Sequence, residues 1–361
     1  MGGIETALRE LYPALLEIRP NLRVSMFVND LGRELISSEP WSAAVELVTH
    51  PLLGRRGTRA LTESALLGPI ADRRGCEVLH SVALTAPWWS RAASVVSIAD
   101  VTWLQHPDAV PPATRLLWKT LVIPAARRAK RVIAYTESAA NEVADTLRIA
   151  RSRIDVVPLG AGGGTDAEPT PAHELRRRLG LGGGPVILAV SAFLAHKNVA
   201  RLVEAMPAIR ATSPDAVLVL PGNWTPLRDE VSARASALGL GDAVVFPGWI
   251  DAADLEGFYR IASCFVLPSL REGFGLPVLE AMRRGVPVAC TRTSAVAEVA
   301  GDAALFFDPE NVDEITAAVT SILEDDRRAA ELVDKGRKRA ALFTWRRAAE
   351  ETLASFERAL R

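Results

Sequence analysis

The chain has 361 residues, 49% of them hydrophobic, and a formal net charge of −1. That length exceeds a single hydrophobic core and suits two domains of ordinary size. The charge balance excludes a generally basic nucleic-acid binder, and no apolar run reaches the roughly 18 residues that a membrane-spanning helix needs.

Apolar residues at helical spacing (Leu8, Leu11, Leu15 and Leu16) predict a helix over 4–18. Strands are predicted over 22–28, 45–48, 76–82, 94–101, 131–135 and 154–157, with helices near 59–71, 112–128 and 138–147. The stretch from Pro158 to Pro169 is glycine-rich and punctuated like an interdomain linker. Beyond it, near-continuous apolar runs over 185–190, 216–220, 243–246, 264–267, 286–289 and 304–307 read as parallel strands buried on both faces. Helices over 312–324, 327–342 and 345–360 close the chain. Strands alternating with helices imply an α/β protein with two doubly wound, Rossmann-like parallel sheets. The expected division is 1–164, 165–343 and a final helix, 344–361. Three widely spaced cysteines (Cys76, Cys264 and Cys290) give no disulfide framework or zinc spacing, and no secretory leader is visible. They read as buried thiols in a soluble, cytoplasmic protein.

One segment carries the chemistry. The strand-like run Cys264–Leu267 stops at Pro268, a turn follows with Gly273 and Gly275, and a helix is predicted from Leu276 to Arg284, with Pro277 in its first turn and Gly285 past its end. Free N–H groups at such a helix start form an anion site. Glu272 precedes the helix and Glu280 lies on its second turn. Two carboxylates beside a phosphate site suit a ligand that carries both phosphates and hydroxyls, as a nucleotide-sugar does. The bland alternative is an ordinary strand–turn–helix unit with solvated glutamates.

Glu272-Gly-Phe-Gly-Leu-Pro with a second Glu eight positions on resembles the E-x7-E motif of the retaining glycosyltransferases of family 4, the mannosyltransferase-like group 1 enzymes. The resemblance implies the GT-B fold, with its two Rossmann-like domains facing a central cleft and the last helix crossing back to the first domain. It further implies that Glu272 lies beside the donor sugar, with Phe274 and Gly275 donating backbone N–H groups, and that Glu280 holds the ribose. Gly273 and Leu276 complete that turn. Lys197-Asn198 match the family's Lys-Asn pair, the lysine facing the diphosphate; the basic residue usual five positions earlier is Ala192. The family's first strand is not visible, because Met1-Gly2-Gly3 starts at the loop, where Gly3 is either a phosphate-approaching turn or part of a loose end.

Further positions carry two readings each. Gly222, at a strand end, is a place for a nucleotide to pass or a simple turn. The loop Phe246–Ile250 resembles the one whose backbone meets the nucleobase through Ile250, with Trp249 a core aromatic as the alternative. Glu298 matches an element packing near the donor. Where many members show His-Asp, this chain has Ala99-Asp100, leaving Asp100 as the catalytic candidate and His106 as a distant substitute. Thr136 reads as a helix cap. Arg55-Arg56 and Arg127–Arg131 are basic clusters, either solvated or attracted to an anionic membrane or pyrophosphate-linked acceptor. No Asp-x-Asp occurs, so no metal site is expected. The expected activity is transfer of a hexose from a nucleotide-diphosphate sugar, GDP-mannose favoured over UDP-sugars, to a hydroxyl of a glycan or lipid-linked acceptor. A non-catalytic GT-B binding module and a sugar-nucleotide epimerase are the alternatives.

Overall fold

The structure, a computed structural model, describes residues 3–51, 59–82, 86–105, 112–162 and 167–361. Arg55, Arg56 and His106 lie outside them. The chain divides into two compact units, one of residues 1–163 with 344–361, the other of residues 164–343.

The first unit contains α1 (Gly3–Ile18), β1 (Val24–Phe27), α2 (Asp30–Ser37), β2 (Val45–Val48), α3 (Arg59–Arg73), β3 (Val78–Ser81), β4 (Ala93–Ser97), α4 (Thr102–Gln105), α5 (Pro112–Arg128), β5 (Arg131–Ala134), α6 (Glu137–Leu147) and β6 (Ile154–Val156). Its described strands form two parallel sheets, β1-β2 and β3-β4-β5-β6. Strand alternation sorts the core by face. Val95 and Ile133 pack against α1 and the chain-terminal helix, α15 (Trp345–Leu360), whereas Val96, Val132 and Ala134 pack against α5 and α6.

Asp155 on β6 secures α15. It accepts from Arg131 at 2.9 Å and from Ser355 Oγ at 2.6 Å, and pairs with Arg358 at 3.0 Å. Desolvation pushes this carboxyl up, but the hydrogen bonds from Arg131 and Ser355 win and hold it below the usual carboxylate range. The indole of Trp345 donates to the carbonyl of Gly162. On the same face of the sheet, Nδ1 of His80 meets the Tyr12 hydroxyl at 3.2 Å and its Nε2 meets Ser97 Oγ at 2.8 Å. Burial lowers the His80 pKa to about 4.

The second unit contains α7 (Ala172–Leu179), β7 (Val186–Leu188), α8 (Val199–Thr212), β8 (Val217–Pro221), α9 (Pro226–Ala237), β9 (Val244–Gly248), α10 (Ala252–Ile261), β10 (Ala262–Leu267), α11 (Leu276–Arg283), β11 (Val288–Thr291), α12 (Ser294–Ala300), β12 (Leu305–Phe307), α13 (Val312–Glu324) and α14 (Asp326–Ala340). All six strands are parallel, in the order β12-β11-β10-β7-β8-β9. The chain winds from β7 outward to β9, returns to lay β10 on the other side of β7, and winds outward again to β12. The order therefore reverses between β7 and β10, and ligands of open α/β sheets bind outside the strand ends at such a reversal. Cys264 and Cys290 are buried in this sheet; Cys76 is half-buried in the first unit, and all three are free thiols.

Candidate active site

The loops after β7 and β10 meet at this reversal. The backbone N–H of Leu270 donates to the carbonyl of His196 at 2.8 Å. Lys197 Nζ donates to Glu272 Oε1 at 2.7 Å, and the hydroxyl of fully buried Ser269 donates to the same oxygen at 2.7 Å. Two donors on one oxygen fix the carboxylate, and among the described residues the other oxygen of Glu272 accepts nothing. Lysine and glutamate side chains both keep partial exposure, 20% and 13%. The pair is thus accessible yet oriented.

Gly275 opens α11 with φ +96°, a left-handed conformation that a side chain resists. Buried Phe274 turns its ring onto Phe343, centroids 6.0 Å apart, which anchors the turn from below. No side chain caps α11, nor α8, α9 or α12. These four helices follow β7, β8, β10 and β11, so the strand ends around the reversal carry helix starts whose N–H groups no side chain occupies. An uncapped start is an anion site in waiting.

Glu280 is on the second turn of α11 and half-buried. Its Oε2 accepts from the hydroxyl of Tyr259 at 3.0 Å. Burial raises its carboxyl pKa, opposed by the Arg284 charge and the Tyr259 hydrogen bond.

The other expected contact residues occupy defined places in the fold. Asn198 adopts φ +56°, and its Nδ2 donates to the carbonyls of Pro268 at 3.0 Å and Pro309 at 2.7 Å, while its Oδ1 accepts from Arg201 at 3.2 Å. Its side chain is therefore a brace between loops and has no hydrogen left for a ligand. Gly222 is explained by close packing, since a Cβ there would lie 2.5 Å from the carbonyl oxygen of Ser191. Trp249 is 65% exposed, which excludes the core reading, and Ile250 follows it half-buried. Glu298 lies on α12, and Gly3 is the first residue of α1. Asp100, in the first unit, accepts from the Thr102 N–H at 2.9 Å and so starts α4. Thr136 caps α6 through the Ala139 N–H at 3.0 Å. Ser269 and Tyr259 escaped sequence reasoning: neither stands in the motif, although Ser269 sits three residues before Glu272, the spacing at which a turn lets a hydroxyl fold back.

Comparisons with known proteins bear on the family and the fold. The family model "Glycosyltransferase Family 4" matches residues 1–161, and "Glycosyl transferases group 1" matches residues 172–339. The MMP alpha-(1->4)-mannosyltransferase of Mycolicibacterium hassiacum is 29% identical over 65% of this chain and 56% of its own length. A GDP-mannose-dependent alpha-(1-6)-phosphatidylinositol monomannoside mannosyltransferase of Mycobacterium tuberculosis is 26% identical over 93% of this chain and 89% of its own. Against several curated relatives the chain spans about half of their length. The crystal structure of Anabaena HepE in complex with UDP and glucose superposes with a TM-score of 0.77 at 19% identity, covering 99% of this chain and 96% of that one. Two matching family models, parallel sheets in both units and structural neighbours of this kind lead to one placement: the chain belongs to the group 1, family 4 glycosyltransferases and has their GT-B fold.

Proposed function

We propose that the protein is a hexosyltransferase that moves mannose from GDP-mannose to a hydroxyl of a glycan or lipid-linked acceptor, with retention at the anomeric carbon. The observation that carries the reading is the Lys197–Glu272–Ser269 cluster at the β7/β10 reversal, beside the uncapped start of α11. Glu272 holds the sugar hydroxyls with its unoccupied oxygen, and backbone N–H groups of the Gly273–Leu276 turn meet the diphosphate. Lys197, hydrogen-bonded to Glu272, neutralises charge on the departing phosphate. Glu280 accepts from the ribose, and Ile250 borders the base. The acceptor oxygen attacks the anomeric carbon on the face that the diphosphate leaves. Its proton passes to the departing phosphate oxygen as the carbon–phosphate oxygen bond breaks.

Mannose and GDP are favoured because mannosyl transfer stands in the names of the relatives. Titration of the chain with GDP-mannose, UDP-glucose and the free diphosphates tests the donor, and the anomeric proton coupling of the product tests retention. Tighter binding of UDP-glucose reverses the base assignment. Donor binding without hydrolysis or transfer to any acceptor reduces the protein to a binding module.

Peripheral association with an anionic membrane from the cytoplasmic side is the second element of the reading. Exposed Trp89 and Leu116 in the first unit support it, and no helix among the described residues is long and apolar enough to cross a membrane. Of the basic cluster, Arg127 and Arg131 are engaged internally with the carbonyls of Leu147 and Ser152, leaving Arg128 and Lys130 for lipid head groups. Flotation with anionic liposomes, and failure to float with neutral ones, is the expected result; equal recovery in both ends this part.

A further inference from the structure

Tyr259, on α10, is 1% exposed, yet its hydroxyl is spent on one oxygen of Glu280, 3.0 Å away. The ring is held on two sides. Phe265 of β10 lies against it with centroids 6.0 Å apart, and the guanidinium of Arg284 sits over it at 4.6 Å. Arg284 is fixed in turn by Glu256, donating from Nε at 2.8 Å and from a second nitrogen to the other carboxylate oxygen. Its Nη1 also donates to the backbone carbonyl of Glu280 at 3.1 Å. Glu280 is therefore gripped at both ends, carboxylate by Tyr259 and backbone by Arg284.

A fully buried tyrosine that donates to a half-buried carboxylate has a geometric consequence. Oε2 is occupied, and among the described residues Oε1 has no partner, so the side chain offers a ligand one oxygen in one orientation. Burial pushes the Tyr259 hydroxyl well above its ordinary pKa, which keeps its proton in place as a donor.

We propose that Tyr259 is a positioning residue for the donor: it locks Glu280 so that Oε1 alone meets a ribose hydroxyl, and so makes the protein select ribonucleotide over deoxyribonucleotide sugars. The proposal rests on the reading that Glu280 contacts the donor ribose. Removing the phenol frees the carboxylate to rotate, so the discrimination falls while the chemistry at Glu272 stays in place. A hydrogen bond to a charged group is worth about tenfold in binding.

The test is a cycle on the full-length chain. Binding of GDP-mannose (or UDP-glucose, whichever the wild-type chain takes) and of its 2′-deoxy and 3′-deoxy ribose analogues is measured for wild type and Tyr259→Phe. The wild type is expected to lose about tenfold or more on one deoxy analogue. Tyr259→Phe should bind the parent donor about tenfold more weakly and that analogue unchanged, with KM raised and kcat within about threefold. Equal weakening toward parent and analogues assigns Tyr259 a purely structural role and overturns the proposal, as does unchanged binding of all of them. Arg284→Lys, which keeps the charge and loses the fork to Glu256, provides a second variant if Tyr259→Phe does not fold, with the same loss of discrimination expected. A wild type that binds the parent donor but does not distinguish the analogues also overturns it. Binding of no nucleotide-sugar by the wild type instead removes the donor reading itself, and the proposal with it.

Discussion

The two units repeat the same strand–helix logic, but they finish their helix starts differently. In the first, Asn29 caps α2, Thr136 caps α6 and Asp100 starts α4, so the described strand-end loops satisfy their own helices. In the second, α10 and α13 are capped by Asp251 and Asn311, while α8, α9, α11 and α12 are not. These four follow the strands around the reversal between β7 and β10, while α7, which also lacks a side-chain cap, precedes β7; among the described residues the four-stranded sheet of the first unit runs in simple order. A cap stabilises a helix by about 1 kcal/mol, so its absence at four neighbouring starts leaves donors for something other than the chain. Side-chain caps and open helix starts are thus partly segregated by unit.

The most severe test of that segregation is in the second unit. Glu272→Ala or Lys197→Ala is expected to lower turnover on the order of a hundredfold or more while the thermal midpoint stays near that of the parent; near-normal turnover breaks the assignment. Asp155→Ala in the first unit should do the reverse. It leaves Arg131 without its buried partner and is expected to cost about 3 kcal/mol in denaturant unfolding, with donor affinity unchanged. A pH titration sharpens the contrast further. His80 is held neutral, its pKa falling from 6.5 to about 4 on folding, so its contribution is present above pH 6.5 and lost as pH falls toward 4. Unfolding followed over that range should show a loss on the order of 2 kcal/mol that His80→Gln flattens. The smallest effect compares two threonines in cap positions. Thr136→Ala is expected to cost about 1 kcal/mol; Thr293, whose hydroxyl is buried without a partner, should tolerate alanine with almost no loss.

The sequence made much of this legible for physical reasons. Strands of the second unit are buried on both faces, so their apolar runs stand out, and every predicted run overlaps a strand. The Gly275 turn and α11 were visible because glycine and proline mark conformations that few residues tolerate. Local signals misled where a side chain intervened: the apolar run 94–101 reads as one strand, but β4 ends at Ser97 because Asp100 turns the chain into α4. The short helix α2 has Leu31, Leu35 and Ile36 at helical spacing, yet eight residues are too short a window for that spacing to stand out. Asn198 lay in a recognisable pair, yet its work as a brace depends on carbonyls 70 and 111 residues away. Tyr259 and Glu280 meet only because side chains of α10 and α11 reach each other, and no spacing within one helix encodes that.

The Asn198 brace has a mechanical consequence. By tying the turn after β7 to those after β10 and β12, it joins three separate loops into one rim through contacts of the chain itself. The ordering cost of those three turns is therefore met in part during folding, by one side chain.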